Sequence, residues 1–274
     1  MSRLLILLFS FAFVKVINAQ STSTQMGARG LGMGNASTGI AYEWGLFNNP
    51  GSIGLLTETT AAAAYHAQTR LTNANRAAFV LNSPFRFGVA SVGTFRFGDD
   101  LYNEHLVSAG MANKFGITSL GLKVNYIQYQ AQGFDSHRAM TLDFGGITQL
   151  TEAIFISASI NNLTQSKIKS EHIQESLPTR LTAGLTCKVN SKVLVATEIE
   201  KDLLYAATWR TGLEYEFRNK FFARTGFNLQ PSSGFFGLGT KQKSIRADYA
   251  IQLNALTGAS HQASVTYQFN RKKS

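Results

Sequence analysis

The sequence predicts an all-β chain, a transmembrane antiparallel up-and-down β-barrel of about 14 strands that carries an N-terminal lumen-plugging segment. Three observations predict it. From Thr57 onward apolar and polar residues alternate with period two and almost no stretch keeps a helical period. The alternating runs are close to the 9 to 11 residues that cross a bilayer when tilted. Their connections are alternately tight and long, as in barrels with short periplasmic turns and longer outer loops.

The clearest alternation runs from 245 to 253, with Ile245, Ala247, Tyr249, Ile251 and Leu253 opposite Arg246, Asp248, Ala250 and Gln252. Residues 261 to 270 and 180 to 190 repeat the pattern. In order, strands are expected at 58–68, 75–83, 86–97, 102–114, 117–129, 137–149, 153–162, 179–190, 192–200, 206–217, 221–229, 234–240, 244–253 and 260–269. The connections after even-numbered strands are tight, such as Ser83 to Arg86 and Arg218 to Lys220. Those after odd-numbered strands are mostly longer and more polar, and the longest runs from Leu163 to Pro178. An even strand number places both chain ends on the short-turn side.

A basic start at Arg3, an apolar run from Leu4 to Val14 and Ala19 before Gln20 read as a secretory leader cut after residue 19. No later stretch reaches the length of an apolar membrane helix. The mean hydropathy near zero does not count against a barrel, because alternating strands cancel in a window average. The lone Cys187 excludes an internal disulfide. The formal charge of +10 includes Arg3 and Lys15 of the leader; the remaining cations are dispersed apart from Arg271, Lys272 and Lys273. Dispersed charge on an exported chain argues against a nucleic-acid partner.

The stretch from 27 to 56 is rich in glycine. Gly30, Gly32 and Gly34 lack the preceding strand and following helix of a dinucleotide loop. They read instead as positions of close backbone packing in a confined lumen. Asn48, Asn49 and Pro50 make a turn, and Trp44 and Phe47 supply apolar anchors. The alternation turns Arg180, Lys188, Glu198, Glu200, Arg210, Glu214, Arg224, Arg246 and Asp248 inward. If the turn at 218–220 sets the register, Glu214 faces Arg224, and with Arg246 and Asp248 these form lumen ion pairs. No catalytic residue, metal site or cofactor is expected: the five histidines lack ligand spacing, no Gly-x-Ser-x-Gly elbow occurs, and Glu198 and Glu200 read as lumen neighbours on one strand.

Several stretches resemble the PorV/PorQ group of outer-membrane proteins, relatives of the FadL fatty-acid transporter barrels. They are Gly27-Ala-Arg-Gly-Leu-Gly-Met-Gly-Asn-Ala with Phe47-Asn-Asn-Pro-Gly-Ser-Ile-Gly, then Leu142-Asp-Phe-Gly-Gly, Ile160-Asn-Asn-Leu and Leu177-Pro-Thr-Arg-Leu-Thr-Ala-Gly-Leu. Arg210-Thr-Gly-Leu-Glu-Tyr, Phe222-Ala-Arg-Thr-Gly-Phe-Asn, Ala247-Asp-Tyr-Ala and His261-Gln-Ala-Ser-Val-Thr-Tyr-Gln-Phe follow in the group's order. Gly51 departs from the alanine common there, and the chain is shorter, without long loop insertions. The resemblance implies a fourteen-stranded barrel with a lumenal N-terminus, located in the cell outer membrane. It also implies a non-enzymatic role in type IX protein secretion, as cap, shuttle or scaffold. The expected partners are outer-membrane lipid and a secretion translocon subunit or secreted cargo domain, met by the loop with Lys167, Lys169, Glu171, His172 and Glu175. The alternative is a FadL-like channel for hydrophobic small molecules. It requires a continuous apolar pocket inside the barrel and a kink or gap in the wall near the N-terminal segment, and the polar inward faces count against it. The expected organisation is 1–19 signal peptide, 20–57 plug segment, 58–270 barrel and 271–274 basic tail.

Overall fold

The computed structural model describes residues 23–169 and 174–269. The leader, the basic tail, Glu171 and His172 lie outside the described residues. Fourteen antiparallel strands close into one barrel. They are β1 (Thr59–Gln68), β2 (Arg76–Phe85), β3 (Gly88–Gly98), β4 (Tyr102–Phe115), β5 (Thr118–Ala131), β6 (His137–Gln149), β7 (Ile154–Asn161), β10 (Arg180–Lys188), β11 (Val193–Asp202), β12 (Thr208–Phe217), β13 (Phe221–Asn228), β14 (Ser233–Gln242), β15 (Ile245–Asn254) and β16 (Gly258–Phe269). Each pairs with its neighbour in sequence, and β1 closes the ring on β16 from Thr59↔Phe269 to Gln68↔Ser260. The ring has no terminal strand, since every barrel strand lies between two others, which is what a wall in hydrocarbon requires.

Period-two patterning sorts the side chains. Outward positions carry Tyr65, Phe79, Val107, Leu122, Met140, Leu185, Leu213, Leu238 and Val265, all well exposed. Inward positions such as Asn82, Ser91, Ser108, Asn125, Thr141, Ser159 and Thr266 are buried and polar. Aromatic residues gather at the short-turn end, where Phe217 stacks on Phe221 and Tyr267 meets Phe269 edge-on. Such girdles mark the interfaces of membrane barrels. The tight turn after β4 closes through Gly116 at φ 59, in the left-handed region that glycine enters at little cost.

Two features escape a period-two reading. The connection from Leu163 to Pro178 carries a small separate sheet of β8 (Lys167–Lys169) and β9 (Gln174–Ser176), strands too short to show alternation. Its Leu177 is buried with Tyr129 and Ala139, so part of the expected outer contact loop is anchored inward. Before the barrel, the described residues form three short helices: α1 (Ala28–Gly32), α2 (Gly45–Asn48) and α3 (Pro50–Ile53). With four or five residues each they are too brief for a helical period.

Candidate functional site in the barrel lumen

Residues 26–54 are nearly all buried, and their partners are inward-facing residues of the wall on every side. The backbone N–H of Ala28 donates to Ser264 on β16 (3.2 Å), and Thr266 donates to Glu43 (2.8 Å). Asn82 on β2 donates to the Glu43 carbonyl (2.9 Å). Ser119 on β5 donates to the Gly51 carbonyl (2.7 Å), and Asn49 donates to the carbonyls of Thr38 (2.8 Å) and Gly146 on β6 (3.1 Å). Across the lumen the backbone N–H groups of Ser37 and Thr38 and the Thr38 hydroxyl all donate to Glu198 on β11 (3.1, 3.2 and 2.7 Å).

The three glycines singled out in the sequence differ in what they do. Gly32 lies so close to β14 that a Cβ would stand 3.0 Å from the Gly237 Cα. Gly34 has φ +68, and a Cβ there would meet the Thr211 carbonyl oxygen at 2.9 Å. At Gly30 a Cβ would meet the Tyr42 hydroxyl at 2.7 Å. Asn48 binds the Met26 backbone in both directions, donating to its carbonyl (2.9 Å) and accepting from its N–H (3.2 Å), and also donates to Tyr42. Burial pushes the Tyr42 hydroxyl pKa up. Pro50 opens α3, where the Asn49 side chain caps by accepting from the Gly51 N–H (3.0 Å).

The four charged residues expected to pair come together on β12, β13 and β15. Glu214 stands opposite Arg224 in the ladder, and Arg224 Nε donates to Glu214 Oε2 at 2.6 Å. Arg224 Nη1 lies 2.8 Å from Asp248 Oδ1, and Arg246 Nε donates to Asp248 Oδ2 at 3.1 Å. Sequence reasoning missed the fifth member, Arg29 of α1, whose Nη2 and Nε donate to Glu214 at 2.6 and 2.9 Å. Burial by itself lowers the Arg29 pKa; Glu214, Glu43 and Asp248 more than offset this, and the pKa is raised. Both Arg224 and Arg246 also lie over the Phe222 ring. Glu198 and Glu200 share Arg210 at 3.2 and 2.6 Å. Of the other inward-directed charges, Arg180 pairs with Asp202 at 3.3 Å. Lys188 emerges exposed at the short-turn mouth, over Phe155.

One expectation is corrected here. The inward faces are not polar throughout. The inward faces of β1 to β4 carry Ala62, Ala64, Ala78, Val80, Phe95 and Leu106, which form one buried cluster with Met26, Trp44, Leu46 and Phe47. Trp44 is wholly buried, and its indole N–H has no hydrogen-bond partner among the described residues. Phe47 lies against Phe95 (ring centroids 6.5 Å apart). Glycines inside strands make the sockets: a Cβ at Gly93 would stand 2.9 Å from the Phe47 ring, and one at Gly110 2.8 Å from Leu46. Mid-strand glycine is the signal that would have found these positions.

Sequence reasoning also missed Asp143 and Lys123, buried and paired at 2.8 Å. Asp143 further accepts from the side chains of Asn125 and Asn161 (both 3.1 Å) and from the Asn162 N–H (2.8 Å). The Leu142-Asp-Phe-Gly-Gly and Ile160-Asn-Asn-Leu stretches therefore meet at one place. The pair Gly145–Gly146 also receives α3, because a Cβ on Gly51 would come within 2.6 Å of the Gly145 oxygen and the Gly146 Cα. The departure from alanine at residue 51 thus has a steric cause. Gly51→Ala should lower unfolding stability by about 1–3 kcal/mol through overpacking, measurable as a lower urea midpoint of the folded barrel.

Among the described residues no three His, Cys, Asp or Glu side chains converge on a metal position. His66 is buried facing the lumen, and His105 is exposed. His261 shares a hydrogen bond with Tyr249 (2.7 Å).

No family model matches the sequence, and no curated protein matches it. Solved structures do. The Ralstonia pickettii toluene transporter TbuX superposes with a TM-score of 0.68 at 13% identity, over 92% of this chain and 100% of that one. These share one fold. The Pseudomonas putida toluene transporter TodX gives 0.66 at 12% identity, over 90% and 98% of the two chains. A Pseudomonas aeruginosa FadL homologue gives 0.65 at 11% identity, over 91% and 100%. The chain therefore has the barrel fold of these structures, two of which are toluene transporters and one a FadL homologue.

Proposed function

We propose that the chain is an outer-membrane channel for small apolar compounds, with residues 26–54 as its movable closure. One observation carries this reading: the apolar cluster of Ala62, Ala64, Ala78, Val80, Phe95 and Leu106 on the lumenal faces of β1 to β4, covered by Met26, Trp44, Leu46 and Phe47. The contacts that hold an indole and a phenyl ring there suit an aromatic hydrocarbon equally well, since burial of apolar area is not directional. The toluene transporters that share the fold support the same class of cargo. The strands form a closed ring in which β1 keeps its ladder with both β2 and β16, so in this reading the segment moves to open a path through the lumen. Trp44 gives up no hydrogen bond when it does.

The secretion role implied by the PorV/PorQ resemblance, with a translocon subunit or cargo domain as partner, draws no support from the superposed structures. The uptake reading stands ahead of it. Its test is uptake of labelled toluene by cells that carry or lack the chain. Trp44→Ala should loosen the closure by about 3–5 kcal/mol and raise toluene entry above wild type. Equal uptake with and without the chain sinks the proposal. Loss of secreted proteins on gene deletion, with toluene uptake unchanged, puts the secretion role in its place.

A further inference from the structure

Four outward-facing side chains form one row near the long-loop end of the barrel. Arg96 on β3 stands opposite His105 on β4, His105 opposite Gln128 on β5, and Gln128 opposite Arg138 on β6. Arg96, His105 and Arg138 are exposed, and among the described residues no carboxylate pairs with any of them. Glu104, next to His105, is buried on the lumenal side. The nearest carboxylates along the chain, Asp99, Asp100 and Asp135, lie on the loops, where Asp99 accepts from the N–H groups of Leu101 and Tyr102. A cation on the outer wall of a membrane barrel is costly at the bilayer centre and nearly free at the interface. The row therefore marks the level of the lipid headgroups.

Beside it the wall is hollowed. Ala77, the ladder partner of Arg96, lies with Ala63 and Ala263 in a groove of about 490 Å³ between Tyr65 and Phe79, and Arg96 stands at its edge. Alanines on the outer face of three adjacent strands leave the depth that larger outward side chains fill elsewhere.

We propose that this is a binding site for a membrane lipid carrying a phosphate, with an acyl chain in the alanine groove and the phosphate against Arg96 and His105. Guanidinium matches phosphate geometry, and the charge-assisted hydrogen bonds it makes are strong ones. The site is on the outer wall and stands apart from whatever the lumen carries.

The test is native mass spectrometry of the purified barrel with phosphatidic acid, diacylglycerol of the same chains, or inorganic phosphate. Wild type should retain phosphatidic acid well above diacylglycerol. Arg96→Gln should cut phosphatidic acid retention about tenfold and leave diacylglycerol unchanged. Ala77→Phe, which fills the groove, should reduce both. Arg96 is an outward side chain, so the heat-modifiable folded band of its variant should match wild type. Retention of phosphatidic acid unchanged in either variant, or displacement of the lipid by inorganic phosphate, overturns the proposal.

Discussion

Deleting residues 27–56 while keeping the leader should leave a barrel that inserts and passes small solutes, where the intact chain does not. The wall does not depend on the deleted stretch for its ladder, since every barrel strand pairs with two other barrel strands. What it loses is its filling. An eight-stranded barrel is filled by its own side chains, and a fourteen-stranded one is wider. In this lumen the space between β4 and β14 is taken by α1, α2 and α3. Removing them exposes Glu198, Glu214 and the wall glycines to water, which solvates the freed charges. Single-channel conductance in a planar bilayer is the measurement. A truncated barrel that inserts and stays silent shows that the segment is not the closure.

The second large effect is expected at Glu214. Its carboxylate accepts from Arg29 of the segment and from Arg224 of the wall, and Arg246 Nη2 lies 3.9 Å away. Glu214→Ala leaves these buried guanidinium groups with too little counter-charge, a change that typically costs about 3–5 kcal/mol. The urea midpoint of the folded band should fall accordingly. Because Arg29 is the segment residue that pairs directly with Glu214, Glu214→Ala should also raise the frequency of open events. Adding Arg29→Met should recover part of the stability by removing one unpaired charge. A Glu214→Ala barrel with wild-type midpoint and wild-type conductance refutes the network as the clasp on the segment.

The wall was legible because period two reports a strand directly and tight turns report its ends. Expected strands such as 137–149 and 221–229 lie within a residue or so of β6 and β13. The pairing of Glu214 with Arg224 followed from one turn, since in a hairpin the turn sets the register. The helices and the β8–β9 pair were not legible, because three to five residues hold too little pattern. Arg29 was missed for another reason. Its hydrogen-bond partner Glu214 is 185 residues away in sequence, and no local rule reaches across the lumen.

The sequence by itself determined that this chain is an alternating, turn-punctuated wall, apolar on one face, with a glycine-rich stretch placed ahead of it. Those are local properties, carried by side-chain order and by the dihedrals that glycine and proline permit. Only the tertiary structure decided where the lumen gathers an ionic cluster on β12, β13 and β15 and an apolar cluster on β1 to β4. It also decided which glycines face one another, Gly32 with Gly237 and Gly51 with Gly145. The physical reason is closure: bringing β1 to β16 places strands distant in sequence across a shared interior, and what meets there depends on the whole ring rather than on any one stretch.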